Sequence, residues 1–308
     1  MEFPRYESFA QSFPNTVPFS EAIGFVMDIE EEKDVDMAFY ITAHELAHQW
    51  WGLQLMAAEV KGKHLILESL AQYSALMVLQ QKYPKEKIQQ FLSMELATYL
   101  KGRIADAEQE VPLALVEGQD YIYYRKGAIN LYALQDYISE DSVNLALKRF
   151  LQDWNSFDTS RKQHRYATSV DLCAYLSDVT PDSLQYLITD LFETVTLYDN
   201  KALAAKCAML PNGQYQVNIE VEAIKYRVDS VGVESTIPMN DWLDVGIYTL
   251  GDDGLQELIY LQKHRVVAGT SIVEIIVKKL PSQVGIDPLY RLIDKNVGNN
   301  LTRIKNSD

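Results

Sequence analysis

Apolar residues recur with a helical period up to about residue 200 and with a period of two beyond it. In the second region, QYQVNIEVEA alternates apolar and polar residues, which puts Val217 and Ile219 on one side, as in a half-buried strand. The pattern predicts an α+β, multidomain chain. It comprises a mainly helical lobe over residues 1–200 and a small β-sandwich with a short C-terminal tail over residues 201–308.

Capping and turn residues divide the helical lobe into segments. Helices are predicted for DVDMAFYITAHELAHQWWG with Gly52 as its stop, for LILESLAQYSALMVLQQKY ending before Pro84, and for KEKIQQFLSMELATYLKG. YIYYRKGAINLYALQDYI and DSVNLALKRFLQDW also have a helical pattern. In TPDSLQYLITDLFE, Thr180 is the predicted N-cap and Pro181 the first helical residue.

Strand signals are concentrated in the last third of the chain. DWLDVGIYTL, QELIYLQKHRVV and TSIVEIIVKKL are predicted strands, with PNG and GDDG as turns. Near the N-terminus, SEAIGFVMDI is predicted as a short strand.

The charge of the chain excludes one class of partner. Its 308 residues carry a formal net charge of -15, whereas nucleic-acid binding requires clustered Lys and Arg. We therefore expect no nucleic-acid partner. No apolar run is long enough to span a membrane, so we expect no membrane segment in this chain.

The two cysteines, Cys173 and Cys207, do not form a CxxC pair, which excludes a cysteine-based zinc site. They could bridge in principle, but two buried thiols are the prediction that we favour.

The candidate chemistry lies in HELAH, where His44 and His48 are four positions apart. Positions i and i+4 lie on one face of a helix, so both imidazoles can bind one metal ion. Glu45 projects from nearly the same side and can contact a water on that ion. This is the arrangement of two zinc ligands and a general base.

A third protein ligand is expected, because catalytic zinc usually has three. Glu68 lies in the first turn of the next predicted helix, with 19 residues between it and His48, and a helix that runs back antiparallel brings it to the metal. Glu59 ranks second because it falls in the connection. His64 is a further candidate but is better interpreted as a loop histidine.

HELAHQWWG followed by a glutamate on the next helix resembles the aminopeptidase N group of gluzincin zinc metallopeptidases. The spacing to Glu68 is one residue longer than the family usually has, which a connecting loop can absorb. LESLAQY also replaces the usual Asn-Glu-Gly. The resemblance implies a thermolysin-like catalytic lobe, a Zn²⁺ cofactor and peptide substrates.

Two further family features have counterparts in this chain. The Tyr-x-Lys-Gly run corresponds to YYRKGA, which makes Tyr124 the tyrosine that assists the zinc, with Tyr123 as the alternative. The Gly-x-Met-Glu-Asn strand of the exopeptidases corresponds in part to MEFPRY. The resemblance then implies that Glu2 binds the free amine of the substrate, although the Gly-x is missing and Phe replaces Asn.

The sequence thus predicts a zinc aminopeptidase. A catalytically silent, metallopeptidase-like interaction domain of a larger protein remains an alternative, and so does a gluzincin acting on internal bonds. Because the family has further strands upstream of this point, we expect a segment of a longer polypeptide. Some bacterial relatives follow transporter-like membrane segments, so an extracytoplasmic domain of a membrane-attached protein is one location to consider.

Overall fold

The computed structural model describes residues 2–3, 9–24, 35–158, 160 and 166–306. The chain divides into two compact units, Met1–Val195 and Thr196–Asp308. Helices dominate the first unit and antiparallel strands the second, so the predicted α+β class is confirmed.

The first unit consists of helices packed around one apolar core. Its α-helices are α1 (Glu21–Gly24), α2 (Met37–Ala47), α3 (Leu70–Lys82), α4 (Lys85–Ala105), α5 (Gly127–Ile138), α6 (Glu140–Asp153), α7 (Ser169–Asp178) and α8 (Tyr186–Ile188). π-helical turns cover Leu65–Ser69, Tyr121–Lys126 and Thr189–Glu193, and 3₁₀ turns cover Leu113–Leu115 and Asp182–Leu184. A parallel pair, β1 (Glu2–Phe3) and β2 (Phe19–Ser20), lies near the N-terminus.

Helix α2 is shorter than the sequence suggests. Asp36 caps its N-terminus by accepting a hydrogen bond from the backbone N–H of Phe39 at 2.8 Å, so the helix begins at Met37. The helix ends at Ala47, and His48 is its C-cap. Gly52 does have a left-handed φ of +118°, but it lies in the turn beyond the helix end.

Helix α3 lies at the centre of the unit, since most of its residues from Leu70 to Leu79 are buried. A helix that is covered on all sides needs no polar face, which explains its long apolar run. By contrast, α6 buries one stripe with helical spacing and exposes the rest. That stripe consists of Val143, Ala146, Leu147 and Phe150.

Two local predictions were wrong. Residues 21–24 of SEAIGFVMDI form helix α1 instead of a strand, while residues 25–29 lie outside the described residues. In TPDSLQYLITDLFE, Pro181 and not Thr180 is the N-cap, because the hydroxyl of Thr180 donates back to the carbonyl of Leu176 at 2.7 Å. The segment then passes through 3₁₀, α and π turns instead of one continuous helix.

The second unit contains two sheets. Their strands are β3 (Val195–Met209), β4 (Tyr215–Val228), β5 (Glu234–Ile237), β6 (Asn240–Leu250), β7 (Gln256–Val267), β8 (Gly269–Val277), β9 (Gln283–Ile286), β10 (Leu301–Arg303) and β11 (Lys305–Asn306). One sheet has the order β10-β9-β6-β7; the other has β11-β3-β4-β5, with β8 also paired to β4. All pairs with a described register are antiparallel except β11 with β3.

Burial along β4 follows the alternation in its sequence. Val217, Ile219 and Val221 are fully buried, and β4 pairs with β8 in the register Ile219↔Val273. The residues predicted as a C-terminal tail contribute β9, β10 and β11 to the two sheets. Strands of two to four residues are too short for a period of two to be recognised in the sequence.

Both cysteines are buried free thiols, so the predicted pair of buried thiols is confirmed. Among the described residues, no helix combines the length and the apolar composition needed to cross a membrane.

Replacing Gly62 with Ala is expected to lower the free energy of unfolding of the first unit by about 2–4 kcal/mol. Gly62 has a φ of +83°, and a Cβ atom there would lie 2.0 Å from the carbonyl oxygen of Ala114 and 2.3 Å from Oγ of Ser169. Both the backbone strain and the clash oppose a side chain at this position. Urea unfolding followed by the helical circular dichroism signal measures the change.

Gly118→Ala is the matched control in the same unit. A Cβ atom at Gly118 would meet no atom within 4 Å, so we expect a change within about 0.5 kcal/mol. Equal unfolding midpoints for Gly62→Ala and Gly118→Ala would contradict the close approach at Gly62.

Candidate metal centre

Helix α2 and the cap that follows it bring two imidazoles together. Nε2 of His44 and Nε2 of His48 lie 3.0 Å apart, and the two rings are nearly perpendicular, with an interplanar angle of 88°. The separation of four positions places both side chains on one face, as expected for a helix. Two ring nitrogens that face each other in this way need a shared proton or a cation between them.

Glu68 adds a carboxylate to this pair. Its Oε2 lies 3.3 Å from Nε2 of His44 and 3.5 Å from Nε2 of His48. Four ligand atoms at ~2.0–2.1 Å from a tetrahedral zinc ion would be ~3.3 Å apart. The spacing of the three donor atoms therefore fits zinc, and their chemistry (two imidazoles and one carboxylate) fits it as well.

A backbone hydrogen bond orients the second imidazole. Nδ1 of His48 lies 3.0 Å from the carbonyl oxygen of Trp51, in the turn that follows α2. Because a carbonyl only accepts, Nδ1 carries the proton, so Nε2 is the ring nitrogen that a neutral His48 can offer to a metal ion, on the side of Glu68 and His44. The early end of α2 is thus part of the site, since it provides this carbonyl.

The electrostatics separate the two glutamates. Burial alone raises the pKa of Glu68, but hydrogen bonds and charge from His44 and His48 outweigh it and hold the pKa well below its usual range. Burial raises the pKa of Glu45, and the neighbouring imidazoles only partly oppose it. Glu68 is therefore a stable anion next to the imidazoles, whereas Glu45 is more basic than an exposed glutamate.

Tyr124 lies at the edge of the same cluster. Its ring centroid is 6.0 Å from that of His44. Burial and the charge of Glu68 raise the pKa of the phenol, so it stays protonated at neutral pH. Tyr123 instead stacks on His64, with ring centroids 4.6 Å apart and an interplanar angle of 21°.

Glu68 and Tyr124 both lie on π-helical turns, Leu65–Ser69 and Tyr121–Lys126, which pack against each other. The hydroxyl of Ser69 donates to the carbonyl of Tyr123 at 2.7 Å. A Cβ atom at Gly127 would lie 2.1 Å from Oγ of Ser69, so this contact requires glycine. Ser69 was not predicted from the sequence, where the glycine of YYRKGA was the only sign of a close contact at this turn.

A buried hydrogen bond links helix α2 to helix α3, which directly follows the π turn that carries Glu68. The hydroxyl of Tyr40 on α2 donates to Oε1 of Gln72 on α3. Tyr40 precedes His44 by one helical turn, and Gln72 follows Glu68 by the same interval. The bond thus fixes the helices next to the donor cluster, and nothing in the sequence pattern pointed to it.

The alternative ligand candidates lie elsewhere. Glu59 is exposed and pairs with Lys63. His64 stacks on Tyr123, and its Nδ1 is buried without a hydrogen-bond partner. Within the described ranges, the only group of three or more His, Cys, Asp or Glu donors that lie within 4.8 Å of one another is His44, His48 and Glu68.

Glu2 lies on β1, where its backbone pairs in parallel with Phe19 of β2. Its side chain lies outside what the structure describes, so its predicted contact with a substrate amine stays a prediction.

The sequence profile described as Peptidase family M1 domain matches residues 15–190. This range contains the three donor residues, Glu45 and Tyr124.

Two curated relatives each match less than half of the chain. Endoplasmic reticulum aminopeptidase 1 from Mus musculus is 25% identical over 139 residues, which are 43% of this chain and 15% of the mouse protein. Endoplasmic reticulum aminopeptidase 2 from Homo sapiens is 27% identical over 144 residues, 45% of this chain and 14% of the human protein. The chain therefore spans only a small part of the length of these relatives.

Among solved structures, an M1 zinc metallopeptidase from Deinococcus radiodurans aligns with 62% of this chain and 38% of its own, at 17% identity and a TM-score of 0.45. The family profile covers more than half of the sequence, including the complete donor cluster. This chain belongs to peptidase family M1.

Proposed function

We propose that this protein is a zinc-dependent peptidase that removes N-terminal residues from peptides by attack of water on the peptide bond. The observation that carries the proposal is the convergence of His44, His48 and Glu68, with donor atoms 3.0 to 3.5 Å apart. Membership of peptidase family M1 and the names of the aminopeptidase relatives support it.

Zinc is the ion that suits this donor set, because imidazole nitrogen and carboxylate oxygen are ligands of catalytic zinc sites. His44, His48 and Glu68 would hold it. When bound, zinc activates water as a nucleophile and polarises the carbonyl of the scissile bond.

Glu45 would act as the proton carrier. It follows His44 in sequence and is buried, yet its carboxylate does not belong to the donor cluster. It would accept the proton of the attacking water and pass it to the leaving amine. Its raised pKa favours this role, because a stronger base takes a proton from water more readily.

Tyr124 would stabilise the negative charge that develops on the carbonyl oxygen. Its phenol stays protonated because burial and Glu68 raise its pKa, and a protonated phenol can donate a hydrogen bond to an oxyanion. The position of its ring beside His44 supports this assignment over Tyr123.

The preference for N-terminal residues depends on Glu2, whose carboxylate would pair with the ammonium group of the substrate. The competing possibility is cleavage of internal bonds, in which a free amine is not required.

Zinc analysis combined with hydrolysis of chromogenic amino-acid amides tests the proposal. We expect about one zinc per chain and hydrolysis that requires a free α-amine, so that N-acetylated amides stay intact. Cleavage of both substrates would indicate a peptidase of internal bonds. Retained zinc without any cleavage would favour the alternative of a catalytically silent interaction domain.

Replacing Tyr124 with Phe is expected to lower kcat by about 10²–10³-fold and to change KM by less than about threefold. The hydrogen bond is made to the charge of the transition state, so its loss affects turnover more than substrate binding. Steady-state kinetics on an amino-acid amide measures both constants.

Tyr123→Phe is the matched control, since this ring stacks on His64. We expect a change in kcat below about threefold. A larger loss for Tyr123→Phe than for Tyr124→Phe would transfer the role to Tyr123.

We also propose that residues 1–200 form a thermolysin-like catalytic lobe and that residues 201–308 form a β-sandwich that acts as a spacer. The division of the chain into compact units at residue 195 supports this boundary. The two sheets of the second unit support the sandwich.

A further inference from the structure

Two cations follow Tyr124 in sequence, and each pairs with a buried carboxylate. A guanidinium nitrogen of Arg125 lies 2.7 Å from Oε1 of Glu95, and Nζ of Lys126 lies 2.6 Å from Oε1 of Glu110. The side chain of Lys126 is only 1% exposed and that of Glu110 only 3%. A fully buried lysine is rare unless it is paired, so this position has a specific role in the structure.

Glu110 connects Lys126 to helix α4. The hydroxyl of Tyr99 donates to Oε1 of Glu110 at 2.8 Å, and Nε of Arg103 donates to Oε2 at 2.7 Å. Both donors belong to α4 (Lys85–Ala105). Burial raises the pKa of Glu110, but the charge of Lys126 and the hydrogen bonds from Lys126, Tyr99 and Arg103 outweigh burial and lower the pKa. The carboxylate of Glu110 is therefore charged, and it accepts a hydrogen bond from each of these three side chains.

The backbone between these anchors is π-helical. The N–H of Gly127 bonds the carbonyl of Ile122, five residues earlier, which closes the wide turn that contains Tyr124. An α-helical turn is the common alternative for such a segment, so tertiary contacts must maintain the π turn. Ser69 holds it through the carbonyl of Tyr123, and Lys126 holds it through Glu110.

We propose that Lys126 is a positioning residue, whose buried ion pair with Glu110 fixes the π-helical turn that places Tyr124 at the metal centre. The inference rests on the proposed function, in which the phenol of Tyr124 binds the developing oxyanion. A misplacement of about 1 Å in such a group can reduce the rate by about 10²-fold. A loss of the anchor should therefore reduce turnover even though Lys126 contacts no substrate.

The test is Lys126→Met in the zinc-loaded full chain, alone and combined with Tyr124→Phe. For the single variant we expect kcat to fall by about 10–100-fold, KM to stay within about threefold and zinc content to be unchanged. Once Tyr124 is Phe, Lys126→Met should cause no further loss above about twofold, because both changes remove the same interaction. Losses that multiply in the double variant would overturn the proposal.

Lys225→Met is the matched control for the loss of a buried lysine. Nζ of Lys225 lies 2.8 Å from Asp241 in the second unit, with side-chain exposures of 5% and 8%. We expect this variant to unfold more easily and to keep its kcat within about twofold. If Lys225→Met lowered kcat as much as Lys126→Met, general destabilisation would explain both, and the positioning role would be rejected.

If Lys126→Met does not fold, Glu110→Gln is the replacement variant, because Gln keeps the volume of the Glu110 side chain and removes its charge. For this variant we expect a smaller loss of kcat than for Lys126→Met, and no loss once Tyr124 is Phe.

A readout independent of activity is the crystal structure of the zinc-loaded variant, where the distance of 6.0 Å between the rings of Tyr124 and His44 should change. An unmoved ring would overturn this inference, whereas a wild-type protein that hydrolyses no amide would overturn only the proposed function.

Discussion

Replacing Glu45 with Gln is expected to lower kcat by about 10³-fold while about one zinc per chain is retained. Gln has nearly the same shape as Glu but cannot take a proton from water at neutral pH. Since Glu45 lies outside the donor cluster, the donor atoms of the metal centre keep their spacing. Elemental analysis and steady-state kinetics on an amino-acid amide measure the two quantities.

The raised pKa of Glu45 adds a second expectation. A carboxyl group whose pKa is higher in the folded state than in the unfolded state stabilises the fold at low pH, and this contribution is lost as the pH rises through the folded pKa. At neutral pH the charged Glu45 therefore opposes folding, and the neutral Gln does not. The metal-free Glu45→Gln variant should unfold at the same temperature as the wild type or at a higher one.

Glu86→Gln is the control for a change of charge on a helix of the same unit, since Glu86 lies exposed in the first turn of α4. Its kcat should stay within about twofold. A Glu45→Gln variant that still cleaves at the wild-type rate would show that Glu45 is not the base. If the variant lost its zinc, kcat would be measured again after zinc is restored.

Helical spacing was sufficient to place the two imidazoles. His44 and His48 four positions apart must face the same side of a helix, and the structure brings their Nε2 atoms to 3.0 Å. Glu68 was predicted beside them because a connection of this length lets the next helix return to the metal, and its Oε2 lies 3.3 Å and 3.5 Å from the two Nε2 atoms. Local periodicity and chain reach therefore account for the proximity of these three side chains, whereas their role as metal ligands stays a proposal.

The finer geometry of the site could not be predicted in this way. Helix α2 stops at Ala47, and the turn beyond it supplies the carbonyl of Trp51 that orients His48. The π turns that carry Glu68 and Tyr124 have the same apolar spacing as ordinary helices over so few residues. Both features depend on tertiary partners, such as Ser69, which are distant in sequence from the residues they hold.

Buried charge pairs were missed for a related reason. Arg125 and Lys126 follow Tyr124 as part of a polar-looking stretch, and a charged run is usually exposed to solvent. Their partners Glu95 and Glu110 are 30 and 16 residues away in the sequence, so only the fold reveals the pairs. In the second unit, β9 and β10 were missed because each is too short to display an alternation.

Replacing Glu68 with Gln is expected to weaken zinc binding by more than about 100-fold. The loss of a residue that only orients a metal ligand already lowers metal affinity by about 10–100-fold, and Glu68 is itself a proposed ligand. The amide lacks the charge that the lowered pKa of Glu68 maintains at every pH near neutrality. After dialysis the variant should contain well below one zinc per chain. Added zinc should raise the unfolding temperature of the wild type but not of the variant, since a ligand stabilises the folded state only when it binds there.

Glu59→Gln is the matched control for this change, because Glu59 is the glutamate in the connection between His48 and Glu68 and pairs with Lys63 on the surface. It should keep its zinc and its response to added zinc. Loss of zinc in Glu59→Gln together with full retention in Glu68→Gln would show that the third ligand comes from the connection between the helices. The 3.3 Å and 3.5 Å approaches of Glu68 to the imidazoles would then reflect an ion pair, and the peptidase proposal would lose the observation that carries it.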